Sequence, residues 1–169
     1  VKNVFFALLR FEMNGDKLCE DIKNFITVDT LPALFTLAKW HDLAHLVADA
    51  LDKNGLLPEG TDVKKRFLKE RSMAVYRFEQ IQYEFDEICK TLEKAKIPFI
   101  PLKGSVVRAL YPEPWMRTSC DVDILVKEES LQDAIQALQD GLSYTCDGRK
   151  TVNDVSLFSE SGVHLELHY

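Results

Sequence analysis

Arg117-Thr118-Ser119-Cys120-Asp121-Val122-Asp123-Ile124-Leu125-Val126 is the stretch on which the reading of this sequence turns. It opens polar, alternates through the two aspartates and then runs apolar, as a strand does when it enters a core. Residues two apart on a strand face the same side, so Asp121 and Asp123 are expected to project together. Two carboxylates held side by side repel, and only a proton or a cation offsets that cost. Hard oxygen donors at this spacing suit Mg2+, which takes one or two carboxylates together with substrate phosphates. A DxD alone is a frequent chance motif at strand ends and turns. Its surroundings decide its weight.

Upstream, Pro98-Phe99-Ile100-Pro101-Leu102 reads as a short extended run, because each proline pushes the residue before it toward β. Leu102-Lys103-Gly104-Ser105 then leads into a short helix over 104–110. Glycine lets the backbone come close to a phosphate, and free N–H groups at a helix start attract anions. The Ser105 hydroxyl and the Lys103 ammonium would add donors; the plain alternative is an ordinary turn and cap. Tyr111-Pro112-Glu113-Pro114-Trp115-Met116-Arg117 is a proline-stiffened loop, read either as an ordered flap with a stacking surface or as a packed loop.

Downstream, residues 130–141 are helical, with Leu131, Ile135 and Leu138 on one face and a glycine stop. Two strands follow at 152–159 and 163–169, joined through Glu160-Ser161-Gly162 as a hairpin. On the second of them His164, Glu166 and His168 share a face. If it pairs beside 121–126, Glu166 joins the two aspartates in a three-carboxylate site. The rival reading is a zinc set of two histidines and a glutamate. One strand spaces such side chains in a line about 7 Å apart, which suits tetrahedral coordination poorly.

Before Ile97 the period is helical. Segments at 3–14, 18–26, 30–40 and 42–53 carry apolar residues three and four apart. Thr30-Leu31-Pro32 suits a helix start, and Asn54-Gly55 a helix end. Gly60-Thr61-Asp62 opens the longest helix, running to about Lys96, with an apolar stripe of Phe67, Ala74, Phe78, Ile81, Phe85, Ile88, Leu92 and Ala95. The stripe reads as a face packed within the chain, with a homodimeric coiled coil as the alternative. The expectation is an α+β fold: a helical region over residues 1–96, then a sheet region over 97–169 in the order β-α-β-α-β-β. The last strand ends without a turn signal, so the parent protein is expected to continue beyond Tyr169.

The 169 residues suffice for one good core or a core with a helical extension. No window reaches the roughly 18 uninterrupted apolar residues of a membrane span. The apolar N-terminal run is cut by Arg10 and Glu12 and lacks a small-residue cleavage site, so it reads as an amphipathic helix rather than a signal peptide. Four scattered cysteines without a CxxC pair point to a reducing cytoplasm. A formal charge of −6 counts against a nucleic-acid coat and leaves room for a locally basic pocket.

Taken together, Gly104-Ser105, Asp121-Val122-Asp123 opening an apolar strand, and a later strand with Glu166 resemble the polymerase-β nucleotidyltransferase superfamily. Pro101-Leu102-Lys103-Gly104, Leu110-Tyr111-Pro112, the stretch from Arg117 to Val126 and His164-Leu165-Glu166-Leu167-His168 are similar to one subgroup in particular. These are bacterial nucleotidyltransferase-like proteins of largely unassigned substrate. The resemblance covers about Ile97 to Tyr169 and departs in one place: the stretch between Ser105 and Asp121 is longer than in many members. It implies a mixed sheet with flanking helices, with Asp121, Asp123 and Glu166 holding two Mg2+ ions under a nucleoside triphosphate. Gly104 and Ser105 would hold its β- and γ-phosphates, with Lys103 and Arg117 neutralising pyrophosphate. The acceptor would be a small molecule or protein hydroxyl rather than nucleic acid. A catalytically silent nucleotide-binding or protein-interaction module on the same fold is the alternative.

Overall fold

The computed structural model describes residues 1–169, with the side chains of all but Asp147, Arg149 and Lys150. Five helices come first: α1 (Lys2–Asn14), α2 (Glu20–Phe25), α3 (Leu31–Trp40), α4 (Ala44–Lys53) and α5 (Asp62–Lys94). The sheet region follows as β1 (Phe99–Pro101), α6 (Gly104–Val107), β2 (Asp121–Val126), α7 (Leu131–Leu142), β3 (Thr145–Lys150), β4 (Asp154–Phe158) and β5 (His164–His168). This is the expected α+β order, helices and then a mixed sheet. Packing divides the chain into two units, Val1–Tyr76 and Arg77–Tyr169. Among the described residues no helix is long and apolar enough to cross a membrane.

In the first unit the three- and four-residue spacing buries one face of each longer helix. Val4, Phe5 and Leu8 of α1 join Leu31, Leu34 and Phe35 of α3, Val47 and Leu51 of α4, and Phe67 of α5. The Phe35 and Phe67 rings meet edge-on, 4.9 Å between centroids. Thr30 precedes α3 as expected, but its hydroxyl reaches backward, donating to the Phe25 carbonyl at 2.8 Å and accepting from the Thr27 N–H at 2.9 Å. Pro32 supplies the first-turn restraint.

A polar network crosses this unit. Lys53 donates to Glu12 at 2.9 Å and pairs with Asp49 at 2.7 Å, while Arg71 reaches Asp49 at 3.2 Å and Asp52 at 2.8 Å. Burial pushes the Glu12 carboxyl above its ordinary value of 4.5; the Lys53 hydrogen bond opposes that shift and the charge of Asp49 adds to it. An acid whose folded pKa is raised stabilises the fold fully below its unfolded pKa and loses that contribution as pH rises through the folded value. Glu12→Gln is therefore expected to flatten the fall in melting temperature as pH climbs from 4.5 toward neutrality, read by circular dichroism. An unchanged pH profile would assign the slope to other groups.

The apolar stripe of α5 is used inside the chain. Phe67 lies in the core of the first unit, and Ile81, Ile88 and Leu92 lie in that of the second. Arg71, which interrupts the stripe, is the residue that bridges Asp49 and Asp52. In the second unit the sheet runs β1-β2-β5-β4-β3. β1 is antiparallel to β2, β2 is parallel to β5, and β5, β4 and β3 are antiparallel in turn. Val122, Ile124, Val126, Leu165 and Leu167 face the core with Leu131, Ala134 and Leu138 of α7. The opposite face of β2 and β5 is polar.

Two local details differ from the expectation, and at 111–117 one of the two readings offered is met. β3 was not foreseen: the expected order has no strand between the helix over 130–141 and the strand at 152–159, yet residues 145–150 form one with a register shift between Cys146 and Lys150, and Gly148 takes φ 82° there. Gly141 does not stop α7, which extends to Leu142 and is closed by Ser143 at φ 57°. A Cβ on Gly141 would lie 3.2 Å from Thr91 Cγ2, so this glycine serves the close approach of α7 to α5. The 111–117 segment holds a short 3-10 turn, Pro114–Met116, with Met116 buried; it is a packed loop.

Candidate functional site

Alternation along β2 sends Val122 and Ile124 to the core and Asp121 and Asp123 to the other face. β5 does the same with Leu165 and Leu167 inward and His164, Glu166 and His168 outward. The parallel register then sets Asp121 beside His164 and Asp123 beside Glu166. The carboxylates expected to meet do meet. Two groups have ligand atoms that all lie within 4.8 Å of one another: Asp121, His164 and Glu166, and Asp123, Glu166 and His168. Glu166 belongs to both.

The histidines therefore enter differently from the zinc reading. They do not line up along β5 as a set of their own; each joins carboxylates from the neighbouring strand. His168 Nε2 is 3.0 Å from Asp123 Oδ1 and 3.5 Å from Glu166 Oε2. The His164 ring stacks on Phe158, 4.6 Å between centroids, and its buried Nε2 has no hydrogen-bond partner. Sequence reading named both residues but gave neither a place beside the aspartates. The signal was the same period-two alternation that flagged Glu166.

A cation already sits among these groups. The Leu102 N–H bonds the Asp123 carbonyl at 2.9 Å, carrying the β1–β2 pairing one residue past β1. The next residue, Lys103, turns the chain at φ 45° and ψ −113°, an arrangement that costs a non-glycine residue about 1–3 kcal/mol. That turn brings Lys103 Nζ to 2.7 Å from Asp123 Oδ1 and 3.6 Å from Glu166 Oε2. Asp123 is only 3% exposed on its side chain, against 60% for Lys103. Burial pushes the Asp123 carboxyl up, but hydrogen bonds from Lys103 and His168 outweigh it and hold the group below the usual carboxylate range. The hydrogen bond to Asp123 in turn raises the Lys103 ammonium above its ordinary value.

Next to this acidic face lies a basic one. α6 is a single turn, too short to act as a helix dipole, and Gly104 is buried at its start. The nearest atom to a Cβ on Gly104 would be Ser119 Cβ at 3.4 Å, ordinary contact. The Ser105 hydroxyl and Arg117 Nε are buried without hydrogen-bond partners. Arg108, absent from the sequence-derived set, is 4% exposed. Its Nε donates to the Gly104 carbonyl at 3.1 Å and its Nη2 to Ser119 Oγ at 2.9 Å, and its guanidinium lies 5.5 Å from the Phe78 ring centre. Burial and the like charge of Arg117 both lower its affinity for its proton. Among the described residues no carboxylate pairs with it. An arginine set between Val107 and Ala109 on a short apolar run gives no sequence sign that it will be buried.

The carboxylates suit a hard divalent cation, the histidine in each group is a nitrogen donor of the kind transition ions take, and the ammonium between Asp123 and Glu166 shows that positive charge is accommodated there. Clustered carboxylates beside orphaned cationic and hydroxyl groups are the equipment of a protein that handles phosphates and the metal that accompanies them. This chain belongs to the family described as uncharacterised nucleotidyltransferase, whose model matches residues 29–169. The match begins far upstream of Ile97 and so takes in α3, α4 and α5 as well as the sheet. No curated protein matches the chain.

Proposed function

We propose that the protein is a Mg2+-dependent nucleotidyltransferase of the polymerase-β type, moving a nucleoside monophosphate from a nucleoside triphosphate to an acceptor hydroxyl and releasing pyrophosphate. The observation that carries this reading is the parallel pairing of β2 with β5, in which Asp123 and Glu166 are register partners opposite Lys103. Asp121, Asp123 and Glu166 would hold two divalent ions, with His164 and His168 in ligand range of the same carboxylates. The chemistry such ions supply is charge neutralisation along the triphosphate and a lowered pKa for the acceptor hydroxyl.

The remaining roles fall to the chain's own side chains. Gly104 and Ser105 contact the β- and γ-phosphates, the Ser105 hydroxyl being unpartnered within the chain. Lys103 and Arg117 offset the charge that develops on the leaving pyrophosphate. Catalysis of this kind is mostly positioning and electrostatics, so a rigid sheet under the acids and a tied-down turn under the phosphates are what it needs. We assign the chemistry to residues 97–169 and leave to the helical region, 1–96, a supporting or acceptor-selecting part.

The acceptor is a small molecule or a protein hydroxyl; the net charge of −6 counts against a nucleic acid. The free cysteines suit a reducing bacterial cytoplasm. Calorimetric titration of ATP, GTP, CTP and UTP, with and without Mg2+, tests the reading in the wild type and in Asp121→Asn/Asp123→Asn. Metal-dependent binding that disappears in the double variant is expected. A folded protein that binds no nucleotide would remove the proposal, and binding without pyrophosphate release on any acceptor would favour the silent module.

A further inference from the structure

The carboxylates of this site are not waiting without a counter-charge. Asp123 Oδ1 receives both Lys103 Nζ, at 2.7 Å, and His168 Nε2, at 3.0 Å. The same two donors lie within 3.6 Å and 3.5 Å of Glu166 Oε2. A carboxylate oxygen has two lone pairs, and the two donors engage both at Oδ1. A divalent ion that takes this oxygen must therefore evict one of them. The imidazole is held on β5, with 19% of its side chain exposed. The ammonium sits on a flexible four-carbon stem, 60% exposed, and water can solvate it at once when it leaves.

We propose that Lys103 is the resident counter-ion of the metal-free site, that a divalent ion displaces it, and that the displaced ammonium becomes a ligand for the triphosphate. This rests on the reading of Asp121, Asp123 and Glu166 as metal ligands. Three features support it. The ammonium lies inside one of the two groups of potential ligands, Asp123, Glu166 and His168. Two cations crowded on one carboxylate pair repel, so metal and ammonium compete for the place. The tether of Lys103 is the residue before Gly104-Ser105, so an ammonium released from the acids remains beside that turn.

The consequence is a coupling between two ligands. Without a polyphosphate the metal must displace Lys103 into water and binds weakly. With a polyphosphate the ammonium has a new partner and the displacement costs less. By thermodynamic reciprocity the metal raises polyphosphate affinity by the factor that polyphosphate raises metal affinity. The strained φ of 45° at Lys103 keeps the side chain poised over the acids in the free protein.

Mg2+ titration by calorimetry without nucleotide tests this on the wild type, Lys103→Met, Lys103→Gln and Lys103→Arg, with inorganic tripolyphosphate as the base-independent second ligand. A site occupied by its own cation about nine-tenths of the time binds metal about tenfold more weakly than a free one. Both neutral variants are expected to bind Mg2+ about tenfold more tightly than the wild type, to bind tripolyphosphate more weakly in the presence of Mg2+, and to melt earlier in EDTA but recover with Mg2+. Lys103→Arg is expected to stay near the wild type in metal affinity. Neutral variants with unchanged or weaker Mg2+ binding overturn the displacement while leaving the metal site itself standing. A wild type whose Mg2+ binding survives Asp121→Asn/Asp123→Asn overturns the site and this inference with it.

Discussion

Asp123→Asn is expected to lose about a thousandfold or more in kcat while the protein stays folded. Asparagine keeps the shape of the aspartate and an oxygen for His168, but it cannot neutralise a metal or hold Lys103 by charge. The loss to catalysis is large because the Asp123 side chain is 3% exposed, against 27% for Glu166, and water does little there to dilute the charge. The loss to folding is small for the opposite reason. Lys103 is 60% exposed and turns to solvent when its partner goes, so the penalty stays near that of a surface pair, about 1 kcal/mol. A pyrophosphate-release assay beside a circular-dichroism melt separates the two effects. Full activity in a folded Asp123→Asn protein would end the assignment of this residue.

Arg108→Met is expected to cut polyphosphate binding by about ten- to a hundredfold, corresponding to one or two charge-assisted hydrogen bonds. Its guanidinium is 4% exposed and no carboxylate among the described residues balances it. Burying such a charge costs several kcal/mol. Two hydrogen bonds, to the Gly104 carbonyl and Ser119 Oγ, return part of that cost. The neighbouring charge of Arg117 leaves an excess of positive charge that an anion from outside the chain would relieve. Methionine fills similar space without the charge, so cost and return vanish together and the melting temperature should move by only a few degrees. Calorimetry with tripolyphosphate and a thermal melt read the two numbers. A melting temperature lowered far more than that, with affinity intact, would make Arg108 a structural tie for the 104–119 segment and nothing else.

The sequence carries the fold where a single period governs a segment. Val122, Ile124 and Val126 alternate with Asp121 and Asp123, and Leu165 and Leu167 alternate with Glu166, so both strands and their inner faces could be read directly. The helices α1, α3, α4 and α5 were visible in the same way, through stripes that now lie in the two cores. The pairing of β2 with β5 had to be supposed, since periodicity says which face a residue is on and not which strand lies next to it. β3 was hidden because Thr145–Lys150 carries no apolar alternation and its glycine sits inside a register shift. Gly141 misled for a related reason: the absence of a side chain served packing against Thr91 instead of a helix end.

The site shows the same boundary. Asp121, Asp123, Glu166 and the Lys103–Ser105 segment were found as residue types at informative spacings. The salt bridge from Lys103 to Asp123 was not, because it depends on the φ of 45° at Lys103, a conformation no residue type announces when it is not glycine. Burial of Arg108 depends on the fit of Gly104, Ser119 and Phe78 around it, a tertiary fact.

The pairing of β2 with β5 also fixes when the proposed set of three acids can be complete. Between the two strands lie α7, β3 and β4, so β5 reaches β2 only across that whole length of chain. Parallel pairing across such a length of chain is a slow, late event in folding. On the ribosome, Asp121 and Asp123 emerge well before Glu166, and a nascent chain holds two of the three acids until the sheet closes. On the proposed assignment of the acids, an unfinished polypeptide therefore lacks a complete metal set until β5 is in place.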